Sequence, residues 1–445
     1  MRKKFVLFTL LIVSIQSLYS QENEDNVLLD GWKFNGYFQI IPYLDGKDFD
    51  HESFMIGYTS MKTRLVVQKD VGEHVTFKVG LQDSRILGEG NAYVSKMPPL
   101  FINEGYVQFN NIMNIPLFVK AGRFAMEYGD GRFISHSKWN YTERAFDGFM
   151  VGYHGANSKI DLFGAKEFSD VRTHVFGASP SLYASLPDTY EDRDLLGAYF
   201  QQKLSSNHEM HLFSYMESDG KEIYLGSRSE GYANILERYT VGTYINSKFN
   251  KLKFTLDFAY QFGNQVGIIN TGSEIFYSKL DISAYLLALK LDYSFDPIVL
   301  TLGADMHSGT SLNDTSTNST FDNIMAAKHK FMGYMDYFVG ARALRGPGVN
   351  DFYISAKYKE KESDWIFTLF VHYFMANKAI QSNLIPDTEY AVYGAEIDFV
   401  VRYDVSKGIF VEWGNGLFVP DDAMLYLYGS PDVGAMSYLR ATVNL

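Results

Sequence analysis

A two-residue rhythm of apolar and polar side chains runs through most of this chain and narrows what it can fold into. From Lys251 to Gly263, Leu252, Phe254, Leu256, Phe258, Tyr260 and Phe262 alternate with Lys253, Thr255, Asp257, Ala259 and Gln261. From Val392 to Tyr403, Tyr393, Ala395, Ile397, Phe399, Val401 and Tyr403 alternate with Gly394, Glu396, Asp398 and Arg402. Strict alternation over ten or more residues describes a long strand with one dry and one wet face. Strands of soluble proteins average about five or six residues, whereas about nine to eleven residues, tilted by about 45°, cross a bilayer. About eighteen such segments can be drawn along residues 31–445, with one phase shift expected near Ala284 to Leu287.

The connections between segments sort by length. Every second one is a tight turn of Gly, Asn, Asp or Pro character: Lys69 to Glu73, Asn110 to Asn114, His154 to Ser158, Ser205 to Asn207, Phe249 and Asn250, Phe295 to Pro297, Lys359 to Ser363 and Asp404 to Gly408. The intervening ones are long and polar, at 44–57, 87–99, 128–142, 167–192, 218–236, 264–278, 309–349, 378–390 and 421–435. Short turns at one end and long loops at the other are the pattern of an outer-membrane barrel with an even strand number and both termini in the periplasm. A soluble β-sandwich has no reason to sort its loops this way. The expected fold is therefore all-β, a single transmembrane antiparallel β-barrel of about 18 strands over residues 31–445.

The start of the chain agrees. Arg2, Lys3 and Lys4 precede an apolar run from Phe5 to Ile15, and small residues lead to the acidic stretch Gln21 to Asp25. This is the layout of a secretory signal peptide, expected to span residues 1–20 and to leave residues 21–30 as a short periplasmic segment. The apolar run is too short for a spanning helix. No cysteine is present, which excludes a lipidated N-terminal cysteine and thiol chemistry. Losing the three basic residues takes the formal charge from −12 to −15, the wrong sign for a nucleic-acid partner. Aromatic residues reach 16% at a mean hydropathy of −0.14, as expected where hydrophobicity is hidden in alternation. The expected partners are outer-membrane lipid and a transported solute.

If lipid faces the apolar half of each alternation, the polar half lines the lumen. That parity puts Lys62, Arg64, Lys78, Lys120, Arg238, Lys248, Lys253, Lys357, Lys359, Arg402 and Arg440 inside, against Glu104, Asp257, Asp305, Glu396, Asp398 and Glu412. An inner surface with surplus cations would concentrate anions.

The densest run of charge is Lys120 to Phe149. Its core, Val119-Lys-Ala-Gly-Arg-Phe-Ala-Met-Glu-Tyr-Gly-Asp-Gly-Arg132, followed by Trp139-Asn140 and Arg144-Ala-Phe-Asp-Gly148, resembles the signature of the alginate-export family of outer-membrane porins. The stretch Asn323 to Tyr337 and the strand Gly394 to Asp398, followed by Asp404 to Gly408, agree with it, and the closing run Tyr438 to Leu445 fits a final strand, although Leu445 replaces the aromatic on which barrels usually finish. The resemblance implies an eighteen-stranded barrel with an arginine-rich constriction for anionic polysaccharide. By analogy with porins whose third long loop folds into the lumen, residues 128–142 would narrow the pore.

Arg123, Arg132 and Arg144 are then expected to face a passing anion, since the guanidinium fork pairs with carboxylate, with Asp130 and Asp147 buttressing them and Lys120 and Arg64 nearby on the wall. The same residues suit plain turn chemistry and loop-to-wall ties. Trp139 reads as packing under the loop rather than as a sugar platform. Paired carboxylates for glycoside hydrolysis can be drawn from Glu127, Asp130 and Asp147, but any acidic loop supplies them. No catalytic residue, cofactor or metal site is expected. His329, between Lys328 and Lys330, reads as structural or solute-facing, and Asp314, Asn318 and Asp322 lack the spacing of an EF-hand loop. Three readings remain: a channel for anionic solutes, acidic oligo- or polysaccharide above all; a general or differently selective nutrient porin on the same scaffold; and a secreted soluble enzyme.

Overall fold

The computed structural model describes residues 31–47, 55–88, 100–139, 141–169, 191–225, 228–270, 275–311, 314, 316–327, 329–338, 346–382, 387–429 and 432–445. The expected signal segment 1–20, residues 21–30 and most of 167–192 lie outside these. Among the described residues nineteen strands follow one another. They are β1 (Trp32–Gly46), β2 (Ile56–Val71), β3 (Val75–Ile86), β4 (Leu100–Phe109), β5 (Leu117–Phe124), β6 (Phe146–His154) and β7 (Ser158–Ser169). Next come β8 (Glu191–Lys203), β9 (His208–Leu225), β10 (Arg228–Phe249), β11 (Leu252–Asn270), β12 (Ile275–Phe295) and β13 (Ile298–His307). The last are β14 (Thr317–Asn318), β15 (Val349–Tyr358), β16 (Trp365–Gln381), β17 (Glu389–Ser406), β18 (Ile409–Pro420) and β19 (Gly434–Asn444), with a short helix α1 (Asp422–Tyr428) before β19.

Eighteen of these form the wall, each antiparallel to its chain neighbour, and β19 pairs with β1 to close the cylinder. The two-residue β14 lies inside a loop, parallel to β12. Closure is what a bilayer demands, because an open edge would leave backbone N–H and C=O groups unpaired in hydrocarbon.

The parity read from the sequence holds. On β11, Phe258, Tyr260 and Phe262 face outward while Thr255, Asp257, Ala259 and Gln261 are buried toward the lumen. Large aliphatic and aromatic side chains stand exposed on the outward face of the wall, Leu302 and Ile354 among them, as lipid requires. The wall is uneven in height: β4, β5 and β6 have 10, 8 and 9 residues, whereas β9 to β12 have 18 to 22.

Three expectations from sequence are corrected. Residues 218–236 and 264–278 are not long loops, because β9 with β10 and β11 with β12 pair onward to Leu225, Arg228, Asn270 and Ile275. Their polarity reflects water around the strand ends, and water does not break a backbone ladder. No bulge occurs near Ala284 to Leu287, where the β11–β12 register is unbroken. Ile282, Ala284, Leu286 and Ala288 point inward although apolar, for a reason that lies in the lumen.

The inner surface is built partly from rings laid across glycines. Phe118 is the register partner of Gly152, Phe163 of Gly197, Phe213 of Gly242, Tyr353 of Gly303 and Tyr438 of Gly414. A Cβ at any of these glycines would meet the ring, so the missing side chain is the seat of the aromatic one.

A charge placed on the outward face tests the parity directly. Ile354→Lys is expected to destabilise the barrel by about 2–4 kcal/mol in urea-dependent refolding into lipid vesicles.

Candidate functional site

The described residues of two loops pack inside the barrel. One joins β5 to β6 and spans residues 125–145; the other joins β13 to β15 and spans residues 308–348. They meet in a parallel bridge between Ile134 and Met325. Ser135 N donates to Met325 O (3.0 Å), Met325 N to Phe133 O (2.9 Å) and Ala327 N to Gly131 O (2.8 Å). Phe133, Ile134, Phe321 and Met325 pack on Phe163, Leu195, Phe213, Ala284, Leu286 and Ala288 of the wall. That explains why β12 is apolar on its inner face. A second cluster joins Met332, Met335 and Phe338 to Phe374, Tyr393, Phe418 and Met424.

Buried ion pairs fasten these loops. The Arg132 side chain lies between Asp305 (2.7 Å) and Asp257 (3.4 Å), with its guanidinium 4.0 Å from the ring centre of Phe331. Arg144 donates to the carbonyls of Ser135 (3.0 Å) and Met325, bridging one loop to the other. Arg64 is held between Glu104 of β4 and Glu143 of the first loop, and Lys62 pairs with Glu143 (3.4 Å). Arg238 takes both Glu217 oxygens at 2.8 Å and reaches Asp322 of the second loop at 3.1 Å.

On β17 two carboxylates hold the second loop by its backbone. Glu396 accepts from Met335 N (2.9 Å) and Asp398 from Tyr334 N (3.3 Å). Gly333, at φ +81°, passes so close to Glu396 that a Cβ would strike its carboxyl group.

The residues expected to form an arginine constriction are thus divided among other tasks. Arg123 and Asp147 form a pair (2.6 Å) on the outward parity, because their neighbours Phe124 and Phe146 take the inward positions; they do not face the lumen. Arg132, Arg144 and Arg64 are occupied by carboxylates and carbonyls. Lys120 sits among the rings of Tyr106, Phe118 and Phe124 at 4.9–5.6 Å. Of the seven, Asp130 lines the cavity described next. Among the described residues that are fully buried, the balance of charge is acidic. Buried Glu143, Asp161, Glu217, Asp219 and Asp351 join the six acids foreseen, and of Lys and Arg only Lys62, Arg64, Arg132 and Arg238 are buried to the same degree.

The open space is a cavity of about 350 Å³ between both loops and the wall strands β18 and β19. Lys138, Lys330 and Arg440 supply its cations, and Glu127, Asp130 and Glu412 its carboxylates. Glu412 is engaged by Arg440 (2.6 Å) and Tyr438 (3.0 Å). Glu127 accepts from His136 (2.7 Å) and Ser135 (3.1 Å). The His136 hydrogen bond holds the Glu127 carboxyl at about 2, below its ordinary 4.5. Lys138 and Lys330 make no ion pair among the described residues. Trp139 stacks on His329 with ring centres 3.7 Å apart, and Arg440 lies 5.0 Å from the Trp139 ring centre. The packing role expected for Trp139 is what the geometry shows. Sequence reasoning missed Lys138 and Lys330; the one signal was their place beside Trp139 and His329.

The alginate export family profile matches residues 56–343, more than half of the chain and all of both lumen loops except the end of the second. The chain belongs to the alginate export family. No curated protein matches it in sequence. Among solved structures, this alginate-export barrel is similar to Pseudomonas aeruginosa OccK8 (OprE) at 12% identity and a TM-score of 0.58, covering 94% of this chain and 98% of that one. It is similar to Acinetobacter baumannii OccAB1 at 13% and 0.56, covering 93% and 97%, and to Pseudomonas aeruginosa OccK10 (OpdN) at 11% and 0.55, covering 93% and 99%. Identities this low speak for the fold alone. Family and fold together make the protein an outer-membrane channel and not an enzyme.

Removing Arg132 would strand two buried carboxylates. Arg132→Met is expected to weaken loop docking by about 3–5 kcal/mol, seen as faster proteolysis within 125–145 and larger, noisier single-channel currents. The Glu127 contact has its own pH window. A carboxyl with a lowered folded value stabilises above its ordinary 4.5 and loses that contribution as pH falls toward about 2. Protection of the amides in residues 127–136, corrected for their intrinsic exchange rates, should therefore fall as pH drops from about 4.5 towards about 2.

Proposed function

We propose that this channel passes anionic solutes, acidic oligo- or polysaccharide above all, through the cavity beside β18 and β19. The observation that carries the reading is the state of the charges there. Glu127 and Glu412 are already engaged by neighbours, whereas Lys138 and Lys330 have no ion-pair partner among the described residues, Lys330 donating only to the Asp130 carbonyl, and both are exposed to the cavity. A low-dielectric wall strengthens the field of such lysines. The engaged carboxylates would keep binding weak enough for release, as conduction requires. Arg132 and Arg144 serve this path by holding the loops that shape it. The protein reaches the outer membrane after cleavage of a signal peptide near residue 20, by the reading of its first residues, and its outer face is solvated by lipid.

A differently selective nutrient porin is the second reading, favoured by one observation: carboxylates outnumber lysine and arginine among the buried inward residues. Reversal potentials in a planar bilayer under a salt gradient separate the two. Anion preference that falls in the Lys138→Gln/Lys330→Gln double variant is the expected result. Cation preference in the unaltered protein would overturn it and leave the nutrient porin.

A further inference from the structure

His329 is fixed more tightly than packing requires. Its backbone is left-handed, at φ +64°, a conformation that costs energy for a residue with a side chain and persists where the surroundings impose it. Both oxygens of Asp336 lie 3.2 Å from Nδ1. The imidazole lies flat on Trp139, at an interplanar angle of 3°. The residue lines the cavity together with Lys138, Lys330, Tyr334 and Arg440. Its Nε2 is buried and has no hydrogen-bond partner among the described residues.

A carboxylate on Nδ1 keeps the proton there, so in the neutral ring Nε2 presents a lone pair. A buried acceptor with no donor is costly, and such atoms in native structures call for a partner that is not in the fold. The lysines and arginine of the cavity provide no acceptor and would take a carboxylate; Nε2 can be satisfied by an O–H. A ligand that meets both demands is a hydroxylated carboxylic acid. A merely structural ring would stack on Trp139 equally well as phenylalanine, with no orphaned nitrogen to bury.

We propose that His329 is the specificity-determining residue of this cavity, its Nε2 accepting a hydrogen bond from a solute hydroxyl while Lys138, Lys330 and Arg440 hold the acid group. The inference rests on the anion-channel reading and adds discrimination between hydroxylated anions and bare ones.

The test uses the full barrel in planar bilayers, with two blockers of equal charge: trigalacturonate, which carries hydroxyls, and tricarballylate, which carries none. The unaltered channel should be blocked by trigalacturonate at the lower concentration. In His329→Ala that concentration should rise about tenfold, the worth of one buried hydrogen bond, while tricarballylate block is unchanged. His329→Gln, whose side-chain oxygen can reach the Nε2 position, should recover part of the loss. Each variant is first checked for the heat-shifted gel mobility of a folded barrel. Equal effects on both blockers, or none on either, would overturn the role of His329 and leave the anion channel standing. A cation-preferring channel that neither compound blocks would overturn the channel reading, and this inference with it.

Discussion

Hydrocarbon offers no hydrogen bond to a peptide group, and the rest of the architecture follows from that refusal. Every wall strand must pair on both sides, so β19 must return to β1, and a cylinder of eighteen strands results. Side chains on such a wall alternate strictly, which assigns Phe258 to lipid and Asp257 to the interior with no freedom left. A cylinder of this size would stand open, and the chain fills it with its own loops instead of with a separate domain.

The interior charges act mainly as fasteners. Arg132 with Asp257 and Asp305, Arg64 with Glu104 and Glu143, and Arg238 with Glu217 and Asp322 each join a wall strand to an inward loop. Buried pairs of this kind contribute little net stability compared with apolar packing, yet breaking one is costly. They therefore specify where the loops sit more than how strongly the barrel folds. The cavity is what remains between the fastened parts. Its lysines differ from the buried cations in having no assigned acid.

Strand count, closure and lipid-facing parity were legible in the sequence, because alternation and turn length are local properties that lipid enforces along most of the wall; the inward third loop was legible only through the analogy with porins. Strand ends were less so. Residues 218–236 look like loop because they are polar, and polarity reports contact with water, not the absence of a ladder. The site was legible in composition and not in geometry. Arg132 and Arg144 stand in the recognised signature, but only the fold brings Asp305 to one and the Met325 carbonyl to the other. Arg123 misleads for a simpler reason: one step of parity separates it from Phe124, and that step turns it out of the barrel. Lys138, Lys330 and Arg440 come from three distant segments, and nothing local announces their convergence.

The bridge between Ile134 and Met325 has a mechanical meaning. Two segments almost two hundred positions apart in sequence share backbone hydrogen bonds inside the cylinder, so neither can be withdrawn while the other stays as it is. Widening the passage is accordingly a single cooperative event, and a substitution in either segment would be felt in the aperture as a whole.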